Sequence, residues 1–181
     1  SSDTFVGSSS DESFRFQYGG SDTVTGGGGL DRFRLEYRET TWATGDQPSL
    51  PYSVHITDYG TDDVIRFEEM GFDAAIFKKQ IETVYDAQDD VTRISVVTDA
   101  VDRGQVEAVV NGEWIIGQAD LKTYSNPSRE AYAEVRLVSA DVETMLAEIV
   151  ELNLNPGSYL DTYTHVHLDA VPETLLASGI T

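Results

Sequence analysis

Apolar residues recur singly along the start of this chain, each two positions after an acid: Asp3-Thr4-Phe5, Glu12-Ser13-Phe14, Asp22-Thr23-Val24 and Asp31-Arg32-Phe33. Successive acids are nine, ten and nine residues apart. A solenoid needs one buried residue per short strand, whereas a flexible linker has no reason to keep such phase. The intervening segments Gly7 to Ser10, Gly19 to Ser21 and Gly26 to Gly29 are small enough for tight turns. From Phe33 the pattern alternates, with Phe33, Leu35 and Tyr37 on one face of a strand and Arg34, Glu36 and Arg38 on the other.

Residues 40–53, with Gly45-Asp46, Pro48 and Pro51, read as a loop holding Trp42 and Tyr52. Val54 to Ile56 and Val64 to Phe67, with Ile65 and Phe67 facing the same way, predict one more turn of the repeat. Phe77, Ile81, Val84 and Tyr85 suit a helix beginning near Asp73, although Ile81 to Tyr85 also suits a strand. Residues 91–116 predict antiparallel strands, with Asn111-Gly112 as a hairpin turn between Gln105 to Val110 and Glu113 to Ile116. A strand from Ala131 to Val138 is expected next. A helix from Asp141 to Leu152, a strand from Tyr159 to Leu168 and a short helix opened by Pro172 follow it. The expected division is 1–121 and a β-α-β-α tail, 122–181.

Within the repeat, Gly26-Gly27-Gly28-Gly29-Leu30-Asp31-Arg32-Phe33-Arg34 matches G-G-x-G-x-D-x-U-x position by position, the nonapeptide of a calcium-binding parallel β-roll. Its parts have mechanical roles: the glycines turn with carbonyls facing a cation, Asp31 supplies a carboxylate and Phe33 points inward. Calcium takes about 6 to 8 oxygens, so one such turn supplies about half a site and two must stack. Turns two repeats apart share an edge, which sets Asp31 with the Glu12 loop. By the same rule Asp22 falls with the Asp3 loop or with the later Asp63 turn. The candidate ligands are the carboxylates of Asp3, Glu12, Asp22, Asp31 and Asp63, with Ser10, Gly20, Gly27 and Gly29 on the turns.

Charge agrees with a cation partner. Against 32 Asp and Glu stand 12 Lys and Arg, a formal net charge of −20 that repels nucleic acid and anionic membrane. The chain has no cysteine, which excludes disulfides and thiolate metal sites. No apolar run is long enough for a spanning helix, so no membrane insertion is expected. The start at Ser1, without Met or a basic leader, is the expectation for a mature product or a fragment.

On these residues the chain resembles the hemolysin-type calcium-binding (RTX) family, and more closely the carboxy-terminal module of serralysin-like secreted proteins. Besides the nonapeptide region, Ile56-Thr57-Asp58-Tyr59 followed by Asp63-Val64-Ile65-Arg66-Phe67-Glu68-Glu69-Met70-Gly71-Phe72 is similar to the closing I-x-D-F, G-x-D-x-I-D-L-S-x-L-G stretch of that family. The segments Val110-Asn111-Gly112, Glu113-Trp114 and Ala119-Asp120-Leu121 resemble its capping strands. The resemblance covers about residues 1–121. The fold expected for the whole chain is mainly β, with a small α+β carboxy-terminal portion read from the tail's own pattern; the resemblance implies a right-handed parallel β-roll capped by antiparallel strands. It also implies calcium between turns, an extracellular location and passage through a type I secretion machine. The chain departs from the family at Ser8 to Ser10, at Glu12 and Arg66, by one extra residue before Asp22, and by the distance of Gly60 from Asp63. One to three well-formed sites are therefore expected.

The chain itself is expected to be no enzyme. No H-E-x-x-H occurs among His55, His165 and His167, and there is no G-x-S-x-G elbow or phosphate-cradling glycine signature. His165-Val166-His167-Leu168-Asp169 puts three metal-ligand types on one strand face, a pattern that an exposed polar strand face also explains. Trp42, Tyr52 and Trp114 could stack on sugars, which makes a carbohydrate-binding module of a polysaccharide-associated enzyme the alternative function. Packing of Trp114 against the sheet is the competing reading.

Overall fold

In a computed structural model the protein is mainly β, and residues 2–17, 19–37, 51–126 and 129–140 are described. The strands are β1 (Thr4–Val6), β2 (Ser13–Phe16), β3 (Gly20–Thr25), β4 (Arg32–Glu36), β5 (Tyr52–Ile56) and β6 (Val64–Glu68). After a 3-10 turn, Phe77–Gln80, come β7 (Ile81–Asp86), β8 (Val91–Val96), β9 (Val106–Asn111), β10 (Trp114–Lys122) and β11 (Tyr132–Ser139). They form a six-stranded sheet in the order β1-β3-β5-β9-β8-β7 and a five-stranded sheet in the order β10-β11-β6-β4-β2.

From β1 to β6 the chain alternates between the two sheets. The odd strands pair in parallel, Phe5 with Val24 and Val24 with Ile56. So do the even ones, Phe14 with Phe33 and Phe33 with Ile65. The apolar residue of each acid-x-apolar triplet is thus aligned with its counterpart in the next turn. Val24, Phe33, Ile56, Ile65 and Phe67 are fully buried between the sheets, together with Leu35 and Val54. Burying one such side chain is worth about 1.5–3 kcal/mol. Phe14 and Phe33 stack with centroids 5.7 Å apart, Tyr59 follows 6.4 Å beyond Phe33, and Trp114 meets Tyr59 edge-on at 5.2 Å.

The outward face of the five-stranded sheet carries a diagonal of ion pairs. Arg15, Arg34 and Arg66 are aligned across β2, β4 and β6, a like-charged row that each glutamate one strand along offsets. Arg15 reaches Glu36, Arg34 forks onto Glu68 at 2.8 and 2.9 Å, and Arg66 bonds Glu134 at 2.9 Å. Glu36 and Glu68 are almost wholly buried beneath these arginines.

Several expectations need correction. Tyr52 opens β5 instead of lying in a loop, because it is aligned with Gly20 of β3 on one side and Val106 of β9 on the other, its amide donating to Gln105 O at 3.0 Å. No helix starts near Asp73: the chain makes only the 3-10 turn before Ile81, Thr83 and Val84 enter β7, paired antiparallel with β8. β-branched residues favour that choice. Asn111-Gly112 does not join paired neighbours, since both edges of β9 are taken, by β5 and β8. With Gly112 at φ +87° the chain crosses to the other sheet, and β10 pairs with β11. The strand expected over 131–138 is β11, which lies between β10 and β6. By backbone contacts one compact unit spans Ser1–Ser139. A second unit spans Ala140–Thr181. The tail helices and strand, the His165 to Asp169 stretch and Trp42 lie outside the described residues.

Candidate metal centre

Three turns stack along one edge of the two sheets: residues 7–12 between β1 and β2, 26–31 between β3 and β4, and 57–63 between β5 and β6. Small residues permit the stack because the backbones meet directly. Gly28 N donates to Ser8 O at 2.8 Å and Gly7 N to Thr25 O at 2.8 Å. A Cβ on Gly27 would fall on the Ser8 carbonyl, 2.8 Å from its carbon; one on Gly29 would come within 2.8 Å of both the Ser10 carbonyl carbon and Asp11 Oδ1. Gly27 and Gly29 both have positive φ, +99° and +102°. The turn at 26–31 can be built only with glycine at these two positions.

The acids that end the turns form a column. Asp31 Oδ1 accepts the Glu12 amide at 2.9 Å, and Asp63 Oδ1 accepts the Asp31 amide at 2.9 Å. Glu12 folds back on its own turn, accepting from the Ser8 amide and hydroxyl. Asp31 is 1% exposed and Asp63 5% exposed. Burial pushes the Asp31 carboxyl up; the Glu12 amide pulls it down, and the Glu12 carboxylate, within hydrogen-bonding reach, pushes it up again. Asp63 is raised in the same way, first by burial, against the amides of Gly60 and Asp31, with added repulsion from Asp31 and Asp58. A column of carboxylates, two of them buried, with this mutual repulsion asks for a counter-charge.

The sequence-derived residues divide into two groups. Glu12, Asp31 and Asp63 share the column, and Ser10, Gly27 and Gly29 lie on its stacked turns. Asp3 and Asp22 meet elsewhere, at the start of the six-stranded sheet, where the Asp3 amide donates to Asp22 Oδ1 at 2.9 Å. Gly20 opens β3 beside them. The alternative pairing of Asp22 with the Asp63 turn is excluded, because Asp22 is aligned with Val54 of β5 while Asp63 stacks on Asp31.

Sequence reasoning left out two acids. Asp58 accepts the amides of Gly26 and Gly27 at 2.7 and 2.8 Å, and Asp11 accepts the Leu30 amide at 2.9 Å. A signal for Asp58 existed: it precedes Asp63 by five residues, as Gly7 precedes Glu12 and Gly26 precedes Asp31. It fills the first position of a turn with a carboxylate in place of a glycine.

Every donor on these turns is oxygen, a set that suits a hard cation and, in a flexible cage with several carbonyls, calcium over magnesium. Among the described residues no three Asp, Glu, His or Cys side chains converge on a metal by themselves. A cation here would need turn carbonyls as well as Glu12, Asp31 and Asp63. His55 is engaged elsewhere, its Nε2 lying 2.7 Å from Asn111 Oδ1.

Of the aromatic candidates for sugar stacking, the two among the described residues are engaged in packing. Tyr52 is buried, its hydroxyl donating to Glu36 O at 3.0 Å. Trp114 packs on Tyr59 and donates from Nε1 to Asn111 O at 2.6 Å. Among the described residues no helix is long and apolar enough to cross a membrane. Comparison of the chain with family models, with curated proteins and with solved structures finds no match.

Proposed function

We propose that this chain is a calcium-binding module of a secreted protein, a parallel β-roll of the RTX type that orders on meeting calcium outside the cell. The observation that carries the reading is the Glu12–Asp31–Asp63 column. Three carboxylates are stacked at the edge of a repeating two-sheet wrap, two of them buried, on turns whose glycines let the backbones meet directly. The alternation of β1 to β6 between two sheets with parallel pairing supports the roll.

Calcium, when bound, supplies positive charge and oxygen coordination between turns. The residues contribute the rest. Glu12 and Asp31 bracket the first gap between turns; Asp31, Asp63 and Asp58 bracket the second. Without a cation their repulsion opposes stacking of the turns. Extracellular calcium modules bind at about 10⁻⁴ to 10⁻³ M, so calcium at roughly ten times that constant adds about 1.4 kcal/mol per site, and cytosolic calcium adds almost nothing. The module then stays loose during export, compatible with a type I secretion route, and supports the stability of whatever larger protein carries it.

The test is circular dichroism and thermal melting of the chain in chelator, then in millimolar calcium, with magnesium as control. We expect a gain of β signal and a rise in Tm with calcium that Asp31→Asn diminishes. Identical spectra and melting curves in chelator and calcium would sink the reading.

A further inference from the structure

Tyr59 lies in the third turn, is almost fully buried, and uses its hydroxyl in both directions. The O–H donates to Asp63 O at 2.8 Å, and the same oxygen accepts the Leu137 amide at 3.1 Å. Asp63 is the acid that ends the candidate metal turn; Leu137 lies in β11, the strand between β6 and β10. One side chain therefore joins the metal turn to the hairpin β10–β11, far along the sequence. A second grip lies beside it: Arg136 Nη1 donates to Asp62 O at 3.1 Å. The Tyr59 ring packs edge-on against Trp114, at the start of β10.

The carbonyl that Tyr59 holds belongs to the residue whose carboxylate already accepts the Asp31 and Gly60 amides. Asp63 is thus fixed at its main chain by the Tyr59 hydroxyl, itself held by the Leu137 amide of the hairpin, and at its side chain by the turn stack. Displacing β11 would strip the Tyr59 hydroxyl of the Leu137 amide that orients it toward Asp63 O, and loosening the turn would leave the Leu137 amide without its acceptor. A buried group left without its partner is costly, so the two elements hold each other in place.

Resting on the calcium reading above, we propose that Tyr59 is a positioning residue that couples cation binding at the 57–63 turn to ordering of the β10–β11 hairpin. The coupling is reciprocal: calcium firms the hairpin, and an ordered hairpin tightens calcium binding. The ring contacts with Phe33 and Trp114 place Tyr59, and the hydroxyl transmits.

Tyr59→Phe keeps the ring and removes the hydroxyl. The experiment compares the intact chain and this variant, each with and without calcium, by thermal melting, calcium titration and amide hydrogen exchange. Exchange is read at Ala119 and Val135 of the hairpin, away from the altered group, and at Ile94 of β8 as reference. In the unaltered protein calcium should slow exchange at Ala119 and Val135 at least tenfold. In Tyr59→Phe that calcium-dependent gain should be mostly lost, with calcium affinity about five- to tenfold weaker and a larger Tm deficit in calcium than in chelator. Equal Tm deficits in calcium and chelator, with unchanged affinity, would make Tyr59 merely structural and overturn the proposal while leaving the calcium reading intact. If calcium does nothing to the unaltered protein, both fall together. Should Tyr59→Phe not fold, Arg136→Met removes the second, more exposed grip. It is expected to reduce the same calcium-dependent protection, and full retention of that protection overturns the proposal.

Discussion

Gly27→Ala is expected to destabilise the protein by about 3–4 kcal/mol and to abolish any calcium-dependent gain at the first pair of turns. Two costs add. An alanine at φ +99° sits in left-handed backbone, worth roughly 1–2 kcal/mol. Its Cβ would also strike the Ser8 carbonyl, so the turns 7–12 and 26–31 must part; overpacking of this kind costs about 1–3 kcal/mol. Parting them also breaks the Glu12 amide to Asp31 bond and the Gly28 to Ser8 bond that align the carboxylates. Gly104→Ala is the matched control: it too has positive φ, +77°, but a Cβ there meets nothing within 4 Å. Urea denaturation of both variants isolates the stacking cost as their difference. Equal losses would mean that the turns are not in backbone contact, and the candidate centre would lose its foundation.

The part from β1 to β6 was readable because a repeat writes the same physical demand several times. Val24 and Ile56, or Phe14, Phe33 and Ile65, are aligned at one inward position, with Phe5 at the open end, and an acid stands two residues before each of them except Ile56. What failed was pairing that depends on which edges remain free. Asn111-Gly112 is locally a hairpin turn, yet Thr92 Oγ1 holds both Gly112 O and Trp114 N at 2.8 and 2.9 Å and directs the chain across to the other sheet. Nothing in the residues 111–114 alone records that β9 is flanked on both sides. The stretch from Asp73 failed for a related reason: its apolar spacing fits a helix, and only the antiparallel partner β8 decides for a strand. The candidate centre was legible at Glu12, Asp31 and Asp63 through the repeat. Asp58 was hidden, because a carboxylate stands there in place of the expected glycine.

The ion-pair diagonal was also written in the sequence and passed over. Arg15-Phe16-Gln17, Arg34-Leu35-Glu36 and Arg66-Phe67-Glu68 repeat the same arrangement after each turn acid. Within each triplet the apolar residue faces the core and the polar pair lies on the outer face. Parallel stacking alone would align arginine on arginine and glutamate on glutamate, which is repulsive. The diagonal reach from one strand to the next turns that repulsion into attraction. It also opposes a slip of the turns by one residue, which would bring these charges into the core. The first turn carries neutral Gln17 in place of a glutamate, and Gln17 donates to Glu36 at 2.9 Å.

Arg34→Met should therefore cost about 3–5 kcal/mol at neutral pH, the range for stranding a buried charge. Glu68 is the residue at stake, since its side chain is fully buried under the Arg34 fork and its remaining cation, Arg129, stands 3.5 Å away. In the native protein burial pushes the Glu68 carboxyl up, but Arg34, Tyr124 and Arg129 together outweigh it and hold it below the usual range. A depressed carboxylate contributes its stability above the unfolded pKa of about 4.3 and loses it as pH falls through the lower folded value. Removing Arg34 takes away the largest downward pull, and the expected outcome is that burial, the largest single influence, then outweighs Tyr124 and Arg129 and inverts the sign. The variant should regain stability as acidification protonates Glu68, in the pH range just above 4.3 where the native protein is still at full strength. Urea midpoints at pH 7 and pH 5 measure this convergence. The double variant Arg34→Met/Glu68→Leu should recover most of the loss at pH 7, because two apolar groups replace the pair and no charge is stranded. A double variant as weak as Arg34→Met alone, with no narrowing of the gap at pH 5, would show that Arg34 acts through its packed stem and that Glu68 is not the source of the cost.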